Sequence, residues 1–429
     1  MERSMPRTAT FHEAVTPSKT ADVADRRVVV LTFFAVGYNA LLSFVNAHAA
    51  GLNFGVVALT EIMVIFAGLF LILRGGLAKA DKNVIYLVCL FVLLGLMVSM
   101  INQRVFVDAL RNVLIVSIFV CLGRRSTRET IIATFLCCSI LVLAVLILEV
   151  SSVTKYAALL KPAQYFINTR GMVEFKYNET GLFNNALGFK GRFSYGIFDG
   201  PRTSSIFLEQ VSLANYAAVT GVFLVSLWKF IGPRQRVLHV GVVLLIIVSN
   251  NTRMTSILTL LSLVGYFLYP RVPRYINIFL APIIMAIAVM VYLAFPLDHS
   301  DTFVGRTSKT GDFLFNMPLG EYFGNNVGAT GRLLDSGYPY LISTATIIGF
   351  IAYWLFVCFI IPQNTPERRR CANALSLYIF MNLLVSGTAI FSMKTGAPLW
   401  LLVGLMSGPL FKRTNDFVKS TAQGALHRP

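Results

Sequence analysis

VIYLVCLFVLLGLMVSMI, residues 84–101, runs for eighteen residues without a charge. At about 1.5 Å per helical residue such a run covers about 27 Å, close to the hydrocarbon thickness of a bilayer. In water this stretch would have to be hidden on every side, so it reads as a membrane-spanning helix. Barrel strands would instead give segments of about ten residues with alternating polarity.

The same signal repeats in both directions along the chain. Apolar runs fall near 28–46, 55–73, 84–101, 108–123, 130–150, 205–228, 237–251, 254–269, 275–296, 337–361, 373–391 and 397–411. The expected fold class is therefore an all-α polytopic integral membrane protein with about twelve transmembrane helices. Composition agrees, since 56% of the 429 residues are hydrophobic and only 13% are charged. Three parts are expected: a polar cytoplasmic tail over 1–27, a membrane domain over 28–411, and a second cytoplasmic tail over 412–429.

A net charge of +17 raises the question of nucleic acid, whose phosphates basic proteins neutralise. The distribution of the cations argues against it. They gather in short connections between apolar runs: RR at 26–27, RRSTR at 124–128, RRR at 368–370 and KR at 412–413. The alternate short connections hold few, so the positive-inside rule puts both termini in the cytoplasm. Two long segments, about 151–204 and 297–336, then lie on the far side. They carry aromatics, glycines and mixed charge, which suggests ordered caps on the membrane. KYAALLKPAQYFI (155–167) has the composition of an interfacial helix. The six cysteines bracket no exported loop, and no Cys or His spacing suggests a metal site.

With the cytoplasmic face bare, the chemistry is expected outside. In PRTSSIFLEQVSLANY (201–216), Arg202 stands beside an expected helix start with Ser204 or Ser205 as N-cap. A guanidinium there can grip a phosphate bidentately. Glu209 is expected inside the span, where a carboxylate needs a function or a partner, such as Arg202. SNNTRMTS (249–256) places Arg253 at the outer surface among small polar residues. GATGRLLDSGYPYLIS (328–343) puts Arg332 and Asp335 three residues apart, on one face of a helical turn. Arg306 is a further outward cation, and Arg104, Arg111, Arg170, Lys190 and Arg192 read as solvated surface. Several arginines at one face suit a pyrophosphate leaving group, and a carboxylate can take the proton of an attacking hydroxyl.

Three segments in this order resemble the O-antigen ligase and Wzy-type polysaccharide polymerase superfamily. PRTSSIFLEQ is similar to its Arg–small–Ile/Leu–Phe–Glu-Pro pattern, with Gln210 in place of the proline. NNTRMTSILTLL (250–261) is similar to its Ser-Arg motif, and LLDSGYPYLISTATIIGFIAY (333–353) to the segment after its large periplasmic loop. The resemblance covers roughly 30–411. It implies a metal-independent, cofactor-free glycosyltransferase of the C-type fold in the bacterial inner membrane. Undecaprenyl-diphosphate-linked oligosaccharide would be the substrate, with flippase and chain-length regulator proteins as partners. Arg202 and Arg253 would bind the diphosphate, assisted by Arg332 or Arg306, and Glu209 or Asp335 would act on the acceptor hydroxyl. Asp335 stands where ligases tend to carry a histidine, which favours a polymerase. A ligase with another acceptor is the near alternative, and a flippase the alternative of a different class.

Overall fold

The computed structural model describes residues 25–173, 178, 180–187, 193–198, 200–295, 302–333, 335–385 and 387–411. The two tails expected over 1–27 and 412–429 thus lie almost wholly outside the described residues. Among those described, every regular element is a helix and there is no strand.

Among the described residues, seven helices are long and apolar enough to cross a membrane: α1 (Arg26–His48), α2 (Phe54–Arg74), α3 (Lys82–Ile101, continuing a single turn from Lys79), α5 (Arg128–Ser151), α8 (Gln210–Leu227, extended to Phe230), α11 (Ile276–Ala294) and α13 (Gly337–Phe359). Their outer faces carry large exposed apolar side chains such as Phe66, Phe70, Leu93, Met290 and Leu293. In water that surface would be unfavourable at about 25 cal/mol per Å², and lipid accommodates it. The remaining expected spans coincide with α4 (Asp108–Arg125), α9 (Pro233–Asn250), α10 (Arg253–Leu268), α14 (Pro366–Val385) and α15 (Met393–Ser407). These five are shorter or carry more charge; α4, α14 and α15 are largely buried among other helices, whereas α10 leaves Leu260, Leu263 and Phe267 exposed.

The centre of the bundle is the crossing of α4 and α15. Its sequence cause is a pair of glycines. A Cβ on Gly123 would strike the Leu401 carbonyl and the Cα of Gly404, and one on Gly404 would strike the Val120 carbonyl. Small residues let two helix backbones approach closely, which maximises dispersion contacts where no hydrophobic force acts between helices. Trp400, with no exposed surface, packs beside this crossing against Tyr353 and Phe356. α13 is broken at Thr346, whose φ of 64° leaves the helical region; its hydroxyl accepts the Gly349 N–H at 3.4 Å at the start of the second half.

The segment expected as one interfacial helix over 155–167 is two: α6 (Val153–Leu160) and α7 (Pro162–Arg170). Lys161 between them is left-handed, with φ 41° and ψ 59°. Both helices bury aromatic side chains, Tyr156, Tyr165 and Phe166, against Leu182, Phe183 and Leu208. The first long loop is therefore folded down onto the bundle. In the second, α12 (Phe303–Phe315) lies against α11, with Gly311 close to the Ala288 carbonyl.

Candidate functional site

The motif around Arg202 does not form the start of a helix. Ser205–Phe207 makes a single tight turn, Leu208 is left-handed at φ 62°, and Glu209 is extended at φ −135°. α8 begins only at Gln210. Neither Ser204 nor Ser205 caps α8, and Glu209 is not inside the span as the sequence suggested; it sits at the N-cap position. The left-handed Leu208 is the physical reason, because it interrupts helical hydrogen bonding just where the apolar pattern begins.

A carboxylate from another helix holds this irregular backbone. Glu149, near the end of α5 and buried, accepts the Ser204 N–H at 3.0 and 2.9 Å, the Ser204 hydroxyl at 3.1 Å and the Ser205 N–H at 2.6 Å. The Tyr156 hydroxyl lies 3.0 Å from Ser204 Oγ and donates to the Ser205 carbonyl at 2.7 Å. Burial first, and the nearby Glu149 second, hold the Tyr156 phenol well above its ordinary range, so it remains a donor. Charge-assisted bonds of this kind are stronger than neutral ones, which suits a backbone that makes few of its own.

Arg202 itself donates from Nη2 to the carbonyls of Asn251 at 3.1 Å and Phe193 at 3.3 Å. Asn251 is left-handed, with φ 53°, and ends α9; two residues later Arg253 opens α10. Asn250 reinforces the junction by donating to the carbonyls of Thr203 at 2.5 Å and Gln210 at 3.0 Å. The Arg253 guanidinium lies 4.6 Å from the centre of the Phe193 ring. From the second long loop, Arg306 in the first turn of α12 donates to the Val385 carbonyl at 3.1 Å.

These three arginines line one cavity of about 110 Å³. The first turns of α8, α10 and α12 all contribute to its wall, through Gln210, Arg253 and Phe303. Helix N-termini present N–H groups and the positive end of the helix dipole, so three of them beside three guanidiniums make a strongly anion-attracting place. Two wall residues carry amide atoms with no hydrogen-bond partner among the described residues, both ends of the buried Gln210 and Oδ1 of the buried Asn382. Buried polar atoms are nearly always satisfied, so these invite a ligand or water.

The other expected site residues are arranged differently. Glu209 pairs with Arg170 at 3.9 Å and Lys394 at 3.7 Å, not with Arg202, and accepts the Ser212 hydroxyl at 3.0 Å. It flanks the cavity through its neighbour Gln210. Arg332 and Asp335 do not share a helical turn: Arg332 lies in the tight helix Val327–Leu333, and Asp335 in the turn that follows it. The Arg332 side chain is outside the described part. Asp335 is exposed, next to Ser336, which Thr310 of α12 reaches at 3.0 Å, a turn beyond Arg306. Lys190 and Arg192 fall outside the described residues.

Two cations expected as solvated surface are engaged. Arg170 contacts Glu209 and stacks on Phe166, and Arg111 binds Glu61 at 2.6 Å while Tyr38 donates to the same carboxylate at 2.5 Å. Sequence reading missed Glu149, Lys394 and Glu61. The signal that singled out Glu209, a charge where an apolar span is expected, applies equally to Glu61 within 55–73 and Glu149 within 130–150, but not to Lys394, which falls between two expected spans.

No protein-family model, curated protein or solved structure matches this chain.

Proposed function

We propose that this protein is an undecaprenyl-diphosphate-dependent polysaccharide polymerase, an integral-membrane glycosyltransferase similar to the Wzy-type enzymes. The observation that carries the reading is the meeting of Arg202, Arg253 and Arg306 with three helix N-termini at one cavity.

In this reading about twelve helices cross the inner membrane and both termini are cytoplasmic. Support comes from the bundle's polarity. α8, α9, α10 and α14 each have one end at the cavity, and their other ends adjoin Lys229, Arg234, Arg271 and Arg368–Arg370 respectively. By the positive-inside rule the cavity then opens to the periplasm.

The three guanidiniums grip the diphosphate of the donor, whose polyprenyl chain lies in the bilayer. An acceptor hydroxyl, at the non-reducing end of the next lipid-linked repeat unit, attacks the anomeric carbon of the donor sugar. The carbon–oxygen bond to the diphosphate breaks, and undecaprenyl diphosphate leaves with its new charge neutralised by the arginines. Asp335, exposed beyond the α12 side of the cavity, receives the hydroxyl proton, while Glu209 fixes the loop that carries Arg202 and Gln210. A flippase and a chain-length regulator would work beside it.

Cells deleted for this protein test the reading. Lipid-linked and surface glycans are extracted and resolved by size. Single repeat units on the carrier, with long polymer missing, agree with a polymerase. Full-length polymer retained on undecaprenyl diphosphate would make it a ligase, and repeat units held on the cytoplasmic side would make it a flippase.

A further inference from the structure

At the opposite end of α10 and α14 from the arginine cavity lies a second hollow of about 560 Å³. It is formed where the connection from α10 to α11 meets the connection from α13 to α14. Arg271, Arg274 and Arg369 line it, together with Pro273, Pro362 and Gln363. α10 has 16 residues, about 24 Å at 1.5 Å each, so the two cavities are separated by most of a bilayer.

The three guanidiniums are held in place by neutral groups. Arg369 donates to the carbonyls of Pro270 at 2.9 Å and Gln363 at 3.0 Å, and Arg271 to the Phe267 carbonyl at 2.8 Å. Arg274 lies 4.7 Å from the centre of the Phe359 ring. Some other charges on this face are neutralised where they stand. Arg124 and Arg125 meet Asp81, Arg128 meets Glu129, and Lys229 meets Glu367. Around the hollow no carboxylate pairs with any of the three arginines among the described residues. Each guanidinium has five N–H donors, of which these contacts use at most two. Three such cations crowded at one opening repel one another until an anion arrives.

The walls beside the opening identify which anion. Phe267 of α10, Ile276 and Phe279 of α11 and Phe359 of α13 are exposed, apolar and adjacent in chain to the hollow. A soluble anion has no use for such flanks, whereas a lipid places its headgroup phosphate in the basic pocket and its acyl chains along the helices. Basic pockets between membrane helices on the cytoplasmic side have this character. We propose that the hollow binds the phosphate of an anionic glycerophospholipid, clamped by Arg271, Arg274 and Arg369. Occupancy would tie the α10–α11 connection to the α13–α14 connection and so brace helices whose far ends carry the arginine cavity.

The full chain, purified in a neutral detergent, is titrated with phosphatidylglycerol, phosphatidylcholine or inorganic phosphate while its Tm is followed. Phosphatidylglycerol should raise Tm in a dose-dependent way by mass action, and phosphatidylcholine should not. R271Q/R274Q/R369Q should lose most of that rise, and R74Q/R234Q, on the same face but away from the hollow, should keep it. If the triple variant does not fold, R274Q alone must show a reduced rise. An undiminished rise in the hollow variants would overturn the proposal, as would an equal loss in R74Q/R234Q. A rise of the same size with inorganic phosphate would overturn the assignment to lipid.

Discussion

Arg202 donates from its guanidinium to the backbone carbonyl of Asn251 at 3.1 Å. That one bond joins the loop before α8 to the left-handed turn between α9 and α10, and Arg253 follows two residues later. Two arginines far apart in sequence thereby line the same cavity.

Because the grip on a diphosphate relies on the planar fork of the guanidinium, lysine is a poor substitute. Arg202→Lys and Arg253→Lys should each lower polymer formation at least about tenfold, which corresponds to about 1.4 kcal/mol of lost transition-state stabilisation. Protein level in the membrane should stay near that of the wild type. Glycan sizing combined with immunoblotting of membranes checks both parts.

Glu149 acts through the loop and not on a ligand. Glu149→Ala would leave the Ser204 and Ser205 N–H groups buried and unsatisfied, at a cost of about 1–3 kcal/mol each. Thermal unfolding of the purified protein should show a clear loss of stability. Glu149→Gln, which retains an acceptor oxygen, should lose less.

Lys394, almost fully buried, stands between Glu209 at 3.7 Å and the Phe207 carbonyl at 3.4 Å. Removing one member of a largely buried pair is worse than removing both, because Glu209 would be left with only the exposed Arg170 at 3.9 Å. Lys394→Met alone should be more destabilising than Lys394→Met combined with Glu209→Gln. A double-mutant cycle on unfolding free energy should return a coupling of about 1–3 kcal/mol, while additive effects would show that the two do not interact.

Gly123 and Gly404 should tolerate no side chain. Even alanine places its Cβ against backbone of the facing helix, which has no rotamer to move aside. Gly404→Ala should cost about 1–3 kcal/mol, and a bulkier Gly404→Leu should prevent accumulation of folded protein. Fluorescence-detected size exclusion of the tagged variants would read this directly.

Much of the fold was legible because apolar length is a coarse and robust signal. The run at 84–101 is matched by α3 over Lys82–Ile101, and the short pair at 237–251 and 254–269 by α9 and α10. Three of the expected arginines do meet at one cavity. What escaped reading depends on backbone conformation or on distant partners. Nothing in the leucine at 208 announces a left-handed φ, yet that residue moves Glu209 out of the span. Glu149 closes on Ser204 across 55 positions of sequence, and Arg111 on Glu61 across 50, so no local spacing could connect them. Arg332 and Asp335 looked like one helical turn because spacing alone cannot show a tight helix ending at Leu333.

The central claim is that the cavity of Arg202, Arg253 and Arg306 holds the diphosphate of a lipid-linked glycan during polymerisation. The most direct test complements a deletion strain with wild type, Arg202→Gln, Arg253→Gln or Arg306→Gln and sizes the glycan on the lipid carrier. The account predicts long polymer with the wild type and single repeat units with each arginine variant present at normal level in the membrane. Wild-type polymer length from variants lacking these guanidiniums would contradict it.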